Sequence, residues 1–271
     1  MRYIVDHDFH IHSGGSMCSG DPEQTPARIL QYGLDEGYAA VALTDHFWDE
    51  TVPMPRGGWG PDFYESQNYP HISKQLPLPS HDGIRFLFGA EVDMTLDGTV
   101  GISKERLATM DFALISISHF HCTDFTISAA DAATPEGRAK VLLDKLELLL
   151  TYDLPWHKLG LAHLTGPKLG CGDPAFHCEV LRLLKGERLT ALFKKAAALG
   201  VAIELNTGTF RYGNEEEEQA VVDFYAHAKE CGCKFCFGSD AHKADGFTYH
   251  RERGQRMADA LGLEEKDIFR V

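Results

Sequence analysis

The chain is short of positive charge. Its 26 Lys and Arg stand against 40 Asp and Glu, a formal net charge of −14 at pH 7 over 271 residues. A nucleic-acid-binding face needs a basic stripe, and so does an anionic lipid surface, so neither is an expected partner. An anionic small molecule stays open, because bound cations would dominate the local field. There is no run of eighteen apolar residues, and no membrane span is expected. The N-terminus, MRYIVDHDF, lacks the charged and apolar regions of a secretory signal. Seven cysteines is an odd number without the spacing of a disulfide framework, which points to reduced thiols in a cytoplasm. Cys231, Cys233 and Cys236 cluster, but no second cluster completes a zinc site, and they read as core packing. Repeats and low-complexity linkers are absent. A hydrophobic content of 44% is enough for one full core, so residues 1–271 are expected to form a single domain.

What is present is a rhythm. Short apolar runs at Tyr3–Phe9, Ala39–Thr44, Arg85–Gly89, Phe112–Ser118, Leu159–Ala162, Val201–Leu205 and Lys234–Gly238 read as strands. Helical segments alternate with them. Thr25 and Pro26 supply an N-cap and first helical position, with Gly37 past the end. Further helices are expected over Ser103–Met110, from Thr134 to Leu150, and over Arg188–Leu199, Glu216–Glu230 and His250–Leu261. Strand and helix alternating over short connections imply a parallel sheet, and seven strands imply a distorted (β/α)7 TIM-like barrel. The acidic run Glu215–Glu218 reads as a solvated face.

One stretch breaks the rhythm. Residues 47–83 are rich in Pro, Gly and aromatics and follow the second strand at the barrel mouth. Trp48, Trp59, Phe63, Tyr64 and Tyr69 would be out of place on a solvated loop, so a lid or substrate loop is expected.

The strands end on metal-type side chains: His10, His46, Glu91, His119, His163, Asp240 and His242. Parallel barrel strands aim their C-terminal ends at one mouth, so residues spread over 230 positions should converge. His10 and His12, two apart on a strand, share a face and can grip one ion. Asp240 and His242 repeat the device with a carboxylate, and Glu91 can bridge two ions through its two oxygens. Imidazole and carboxylate together suit Zn, Fe or Mn.

These pieces resemble the polymerase and histidinol phosphatase (PHP) superfamily. They are Asp8-Phe-His-Ile-His-Ser13, Thr44-Asp-His46, Gly89-Ala-Glu91, Ser118-His119, Ala162-His163 and Gly238-Ser-Asp-Ala-His242, in the family's order. The resemblance implies a distorted (β/α)7 barrel, two to three divalent transition-metal ions, and His10, His12, His46, Glu91, His119, His163, Asp240 and His242 as ligands. The ninth ligand of the pattern is an Asp or His shortly after His-x-His. Here Gly14-Gly-Ser-Met-Cys-Ser-Gly-Asp21 is longer than usual. Anchoring on the Thr25-Pro26 helix start selects Asp21; counting from His12 lands near Cys18 or Ser19.

Within the superfamily, Ser118-His-Phe-His121 and Glu204-Leu-Asn-Thr-Gly-Thr-Phe-Arg211 are similar to the histidinol-phosphatase branch. Arg211 then lies just beyond a strand end, where its planar fork matches phosphate oxygens. His121 is placed to contact substrate or protonate the leaving oxygen. Asp8 and Asp45 adjoin ligands, and either orients an imidazole or serves a structural role. Glu204 is not matched as a ligand. His7 reads as a hydrogen-bonded structural residue. His71, His81, His157, His177, His227 and His250 have no motif support and read as surface or turn positions.

The expected activity is hydrolysis of a small phosphomonoester, histidinol phosphate or a similar metabolite, by a hydroxide bridging the metals. The partner is then a small phosphorylated metabolite, and the setting is histidine biosynthesis. One rival is a phosphodiesterase or nucleotide phosphatase on the same site. A second is a non-catalytic metal-binding module, against which eight intact ligands weigh. A third, amidohydrolase-type hydrolysis, usually needs a Lys at a strand end, and none is there.

Overall fold

The computed structural model describes residues 2–55, 60–208, 210 and 214–271. Eight strands appear among them: β1 (His7–Ile11), β2 (Ala40–Leu43), β3 (His46–Phe47), β4 (Arg85–Asp93), β5 (Phe112–Ser116), β6 (Leu159–Leu161), β7 (Ala202–Asn206) and β8 (Lys234–Gly238). All pairings are parallel, in the order β1-β2-β4-β5-β6-β7-β8, with β3 beside β4. β3 is the continuation of β2 after a break at Thr44 and Asp45. Leu43 faces Phe88 and His46 faces Glu91, an unbroken register. β1 meets the residues just past β8 through a bridge of Ile11 with Ala241, reinforced by His12 N–H to Ala241 O at 3.0 Å and Asp240 N–H to His10 O at 2.7 Å. The result is a single-domain, nearly closed barrel of seven parallel strands.

Alternation along each strand divides the interior from the helix-facing side. Phe9, Ala40, Ala42, Leu87, Phe112, Leu114, Ala202 and Cys236 form the inner plug, and Val41, Ala113, Ile203 and Phe235 belong to the outer layer. Two or four residues further along, the same inward rows turn polar: Leu87 leads through Gly89 to Glu91, Ala202 to Glu204, and Cys236 through Gly238 to Asp240. In β1 the register shifts between Asp8 and Ile11. That irregularity lets Phe9 join the plug while His10 and His12 still face inward.

The expected helices form at Pro26–Asp35, Lys104–Leu107, Pro135–Leu149, Glu187–Leu199, Glu215–Glu230 and His250–Ala260. Thr25 and Thr134 cap the first and third, accepting from Arg28 N–H and Gly137 N–H. A helix over Pro174–Leu183 has no counterpart in the sequence reading. Asp173 caps it and Pro174 starts it. Cys233 and Cys236 are buried in the core, as expected.

The segment after β3 is ordered where described. It carries short helices at Gly60–Tyr64 and Tyr69–Ile72. Trp48, Phe63 and Tyr64 pack with Cys122 and Phe125 as a separate small core, which explains their aromatic character. Arg56 and Trp59 lie outside the described residues. No described helix is long and apolar enough to cross a membrane.

Candidate metal centre

Glu91 stands near the end of β4 and is 1% exposed. Five imidazoles surround its carboxylate. Oε1 lies 2.7 Å from His163 Nε2 and 3.4 Å from His119 Nε2. Oε2 lies 3.1 Å from His46 Nδ1, 3.4 Å from His10 Nε2 and 3.5 Å from His12 Nε2. Asp240 approaches from β8's end, with Oδ1 3.3 Å from His12 Nε2 and 3.5 Å from His242 Nδ1. The structure thus brings together all eight residues that end the strand motifs. Among the described residues, ligand atoms converge in three groups: His10, His12 and Asp240; His10, Glu91 and His163; and His12, Cys18, His46 and His242. These groups are able to bind metal.

The imidazoles are held from behind. Glu204 accepts His10 Nδ1–H at 2.7 Å, and Asp93 accepts His119 Nδ1–H at 2.8 Å. Ser118 Oγ lies 3.0 Å from His163 Nδ1 and Ser16 Oγ 3.3 Å from His12 Nδ1. With Nδ1 engaged, Nε2 of His10, His119 and His163 is turned toward Glu91. Asp45 anchors the start of the next loop instead, taking Ser13 N–H and O–H at 2.6 Å each. Asp8 accepts from the N–H of His10 and Ser239, tying β1 to β8. His163 and Asp240 both have positive φ, 29° and 55°. Neither is glycine, so both conformations cost energy that the surrounding contacts must supply.

Burial opposes charge throughout. It would raise the Glu91 carboxyl, but His10, His46 and His119 outweigh it and hold the group well below the usual carboxylate range. Asp240 is likewise held down, by His10, His12 and His242 against burial. Burial and the neighbouring His242 push His12 well below the ordinary imidazole range, and burial brings His46 down to about 4 despite Glu91. His10 alone of the strand-end pair is driven well up, because Glu204, Asp240 and Glu91 outweigh its burial. His119 is raised as well, Asp93 and Glu91 outweighing its burial, so ionised carboxylates, two lowered imidazoles and two positions that favour positive charge form a donor set suited to a divalent cation. His46 Nδ1, buried 3.1 Å from Glu91 Oε2 without forming a hydrogen bond, fits the same reading.

A cavity of about 90 Å³ opens over Glu91 and Asp240, lined also by His46, Phe63, Tyr64, His119, His121 and Lys168. His121 therefore sits at the mouth, its ring 5.2 Å from that of His119. Partial burial and the Lys168 ammonium lower its imidazolium, so it stands neutral, better suited to a hydrogen-bonding contact than to a proton donor. In the sequence Lys168 is one candidate substrate contact, with Arg56 and Arg251, and carries no specific signal. It is held by buried Arg138, which donates to the carbonyls of Lys168 at 2.8 Å and Leu169 at 3.2 Å. Asp240 and His242 also border a larger cavity of about 560 Å³, with Lys243, Tyr249 and Arg253 on its wall. Arg211 lies outside the described residues.

Asp21 does not join the cluster. Its carboxylate accepts Glu23 N–H at 3.0 Å and faces Arg28 at 3.8 Å, on the outside of the turn. Cys18 is the residue of that segment that reaches the imidazoles. His177 and His250, read as surface or turn positions, are buried, paired with Glu217 at 2.8 Å and Thr207 at 2.6 Å.

No protein-family model matches the chain. A probable phosphatase of Syntrophotalea carbinolica is 23% identical over 245 residues, 88% of this chain and 80% of its own. One from Aeromonas hydrophila is 25% identical over 249 residues, with coverages of 90% and 80%. Two solved structures align over most of their length. Histidinol phosphate phosphatase from Lactococcus lactis, complexed with zinc, L-histidinol and phosphate, gives a TM-score of 0.55 at 17% identity, covering 97% of this chain and 95% of that one. A candidate histidinol phosphatase from Listeria monocytogenes gives 0.56 at 15% identity, covering 89% and 96%. The likeness is one of fold.

Proposed function

We propose that this chain is a metal-dependent phosphoesterase of the PHP superfamily, acting on a small phosphomonoester such as histidinol phosphate. The observation that carries the reading is Glu91, one buried carboxylate ringed by five imidazoles at the barrel mouth with Asp240 beside it. His10, His12 and Asp240 would hold one ion and His119 and His163 another, with Glu91 shared. Two to three ions of Zn, Fe or Mn match the three convergent groups. Such ions supply a water with a pKa near neutrality and neutralise charge on phosphoryl oxygens.

The chain's own residues do the rest. Glu204, Asp93 and Ser118 fix the imidazoles that face the reacting centre. Lys168 brings a positive charge to the mouth of an otherwise acidic protein, and Arg211 adds a planar fork for the phosphate. His121 hydrogen-bonds the substrate beside Lys168. Phe63 and Tyr64 wall the cavity on one side, so the 47–83 segment acts as substrate loop or lid. The larger cavity beyond His242 receives the alcohol portion. With histidinol phosphate as substrate, the protein serves histidine biosynthesis in the cytoplasm.

A panel assay of phosphate release tests this reading. Small monoesters, histidinol phosphate among them, should turn over faster than bis-p-nitrophenyl phosphate or DNA. Preference for diesters would replace the substrate class, and inactivity of the metal-loaded protein on every ester would leave a metal-binding module.

A further inference from the structure

The segment between His12 and the helix at Pro26–Asp35 has no regular secondary structure, yet it is pinned throughout. Ser13 is tied to Asp45, Gly14 N–H donates to Gln24 O at 2.8 Å, and Ser19 O–H donates to the carbonyl of His242. Ser16 Oγ lies 3.3 Å from His12 Nδ1 and 3.5 Å from Cys18 Sγ. These contacts turn Cys18 into the mouth. Its sulfur and a nitrogen from each of His12, His46 and His242 all lie within 4.8 Å of one another. Cys18 also lines the cavity that holds Glu91 and Asp240.

A second observation is independent of the sulfur. His46 is 9% exposed, and its Nδ1 is buried, 3.1 Å from Glu91 Oε2 but hydrogen-bonded neither to it nor to any other described group. A buried nitrogen left in this state is costly unless something takes its lone pair. His12 is shared with the inner group, since its Nε2 also faces Asp240 at 3.3 Å and His10 Nε2 at 3.1 Å. Cys18, His46 and His242 remain, on the outer side of the cluster.

We infer that Cys18 is a thiolate ligand of an outer metal ion, shared with His46 and His242, and that it takes the place assigned to Asp21 by sequence. The inference rests on the metal-dependent reading of the centre. On binding, the sulfur–metal bond forms and the thiol proton leaves to solvent. One thiolate and two imidazoles make this position softer than the carboxylate-rich inner ones, so it favours zinc over manganese. Three protein ligands also leave a position open to a substrate oxygen.

Cobalt(II) alone is the probe. Metal-free full-length protein is titrated with Co²⁺ while the near-ultraviolet sulfur-to-cobalt charge-transfer band and the bound stoichiometry are followed. The wild type and Asp21→Asn should develop the band. Cys18→Ser should lack it and bind one ion fewer per chain. Cys18→Asp should recover the ion without the band, which separates ligation from a folding defect. Cys122→Ser should keep the band, since that thiol contacts His121 at 3.4 Å and not the outer group. Full cobalt binding by the wild type without a band would overturn the inference. So would loss of an ion in Asp21→Asn but not in Cys18→Ser. A wild type that binds no cobalt would overturn the metal-dependent reading itself.

Discussion

Glu204 accepts the Nδ1–H of His10 at 2.7 Å, with both side chains fully buried. Its other oxygen takes the main-chain N–H of His163 at 2.6 Å. One carboxylate thus sets the tautomer of one imidazole and the backbone position of another. Gly238 makes room for it: a Cβ there would stand 2.1 Å from Glu204 Oε1 and 2.4 Å from His10 Cβ. Glu204→Ala should lower metal affinity by about 10–100-fold, the usual cost of losing a group that orients a ligand. Gly238→Ala should act in the same direction by displacing the carboxylate. Chelator competition measures both, with far-ultraviolet circular dichroism confirming an intact barrel. Unchanged affinity in Glu204→Ala would remove Glu204 from the account.

Phosphate recognition is assigned to Lys168 and Arg211. Loss of a charge-assisted contact costs about 1.5–3 kcal/mol. Lys168→Met and Arg211→Ala should each raise KM for a small monoester by roughly that amount, near 10- to 150-fold. Metal content should stay unchanged in both. Kinetics indifferent to both substitutions would mean that the metals alone bind the phosphate.

The closed end of the barrel predicts a pH dependence of stability. His7 is buried, with Nε2 accepting Phe237 N–H at 3.0 Å and Nδ1 2.8 Å from Asp6. Burial lowers its imidazolium below the ordinary 6.5, despite the pull of Asp6. The unfolded chain therefore takes up this proton first, so stability is full above about pH 6.5 and declines as pH falls. Asp6 is also held below its usual range: burial opposes this, but hydrogen bonds from His7, Arg270 and Tyr3 prevail, which adds a further loss in acid. Urea midpoints at pH 7.5 and 5.5 should differ less in His7→Gln than in the wild type. An equal difference in the two proteins would contradict the neutral, buried His7.

The barrel and most of the centre were legible because parallel strands share one mouth. A list of strand ends is then also a list of neighbours, and His10, Glu91, His163 and Asp240 meet as that logic requires. What failed was the part without a period. From Ser13 to Gln24 the path is set by individual contacts, Ser13 with Asp45 and Ser19 with His242, so counting residues could not choose between Cys18 and Asp21. Glu204 was visible at a strand end, but its role depends on what its two oxygens face. Lys168 is positioned by Arg138 from a helix thirty residues away in sequence, a link that no local pattern carries. The helix at Pro174–Leu183 was missed although Asp173 and Pro174 mark its start. The positive φ angles of His163 and Asp240 follow from the assembled site rather than from residue type.

On the proposed reading, the residues around Glu91 hold metal ions that drive phosphoester hydrolysis. The most direct measurement is phosphate release from the small-monoester panel by chelated protein, before and after adding back Zn²⁺, Mn²⁺ or Fe²⁺. The metal-free protein should release no phosphate, activity should recover with at least one of the three ions, and Glu91→Gln should show no recovery. Release that survives complete metal removal, or that Glu91→Gln leaves intact, would contradict that reading.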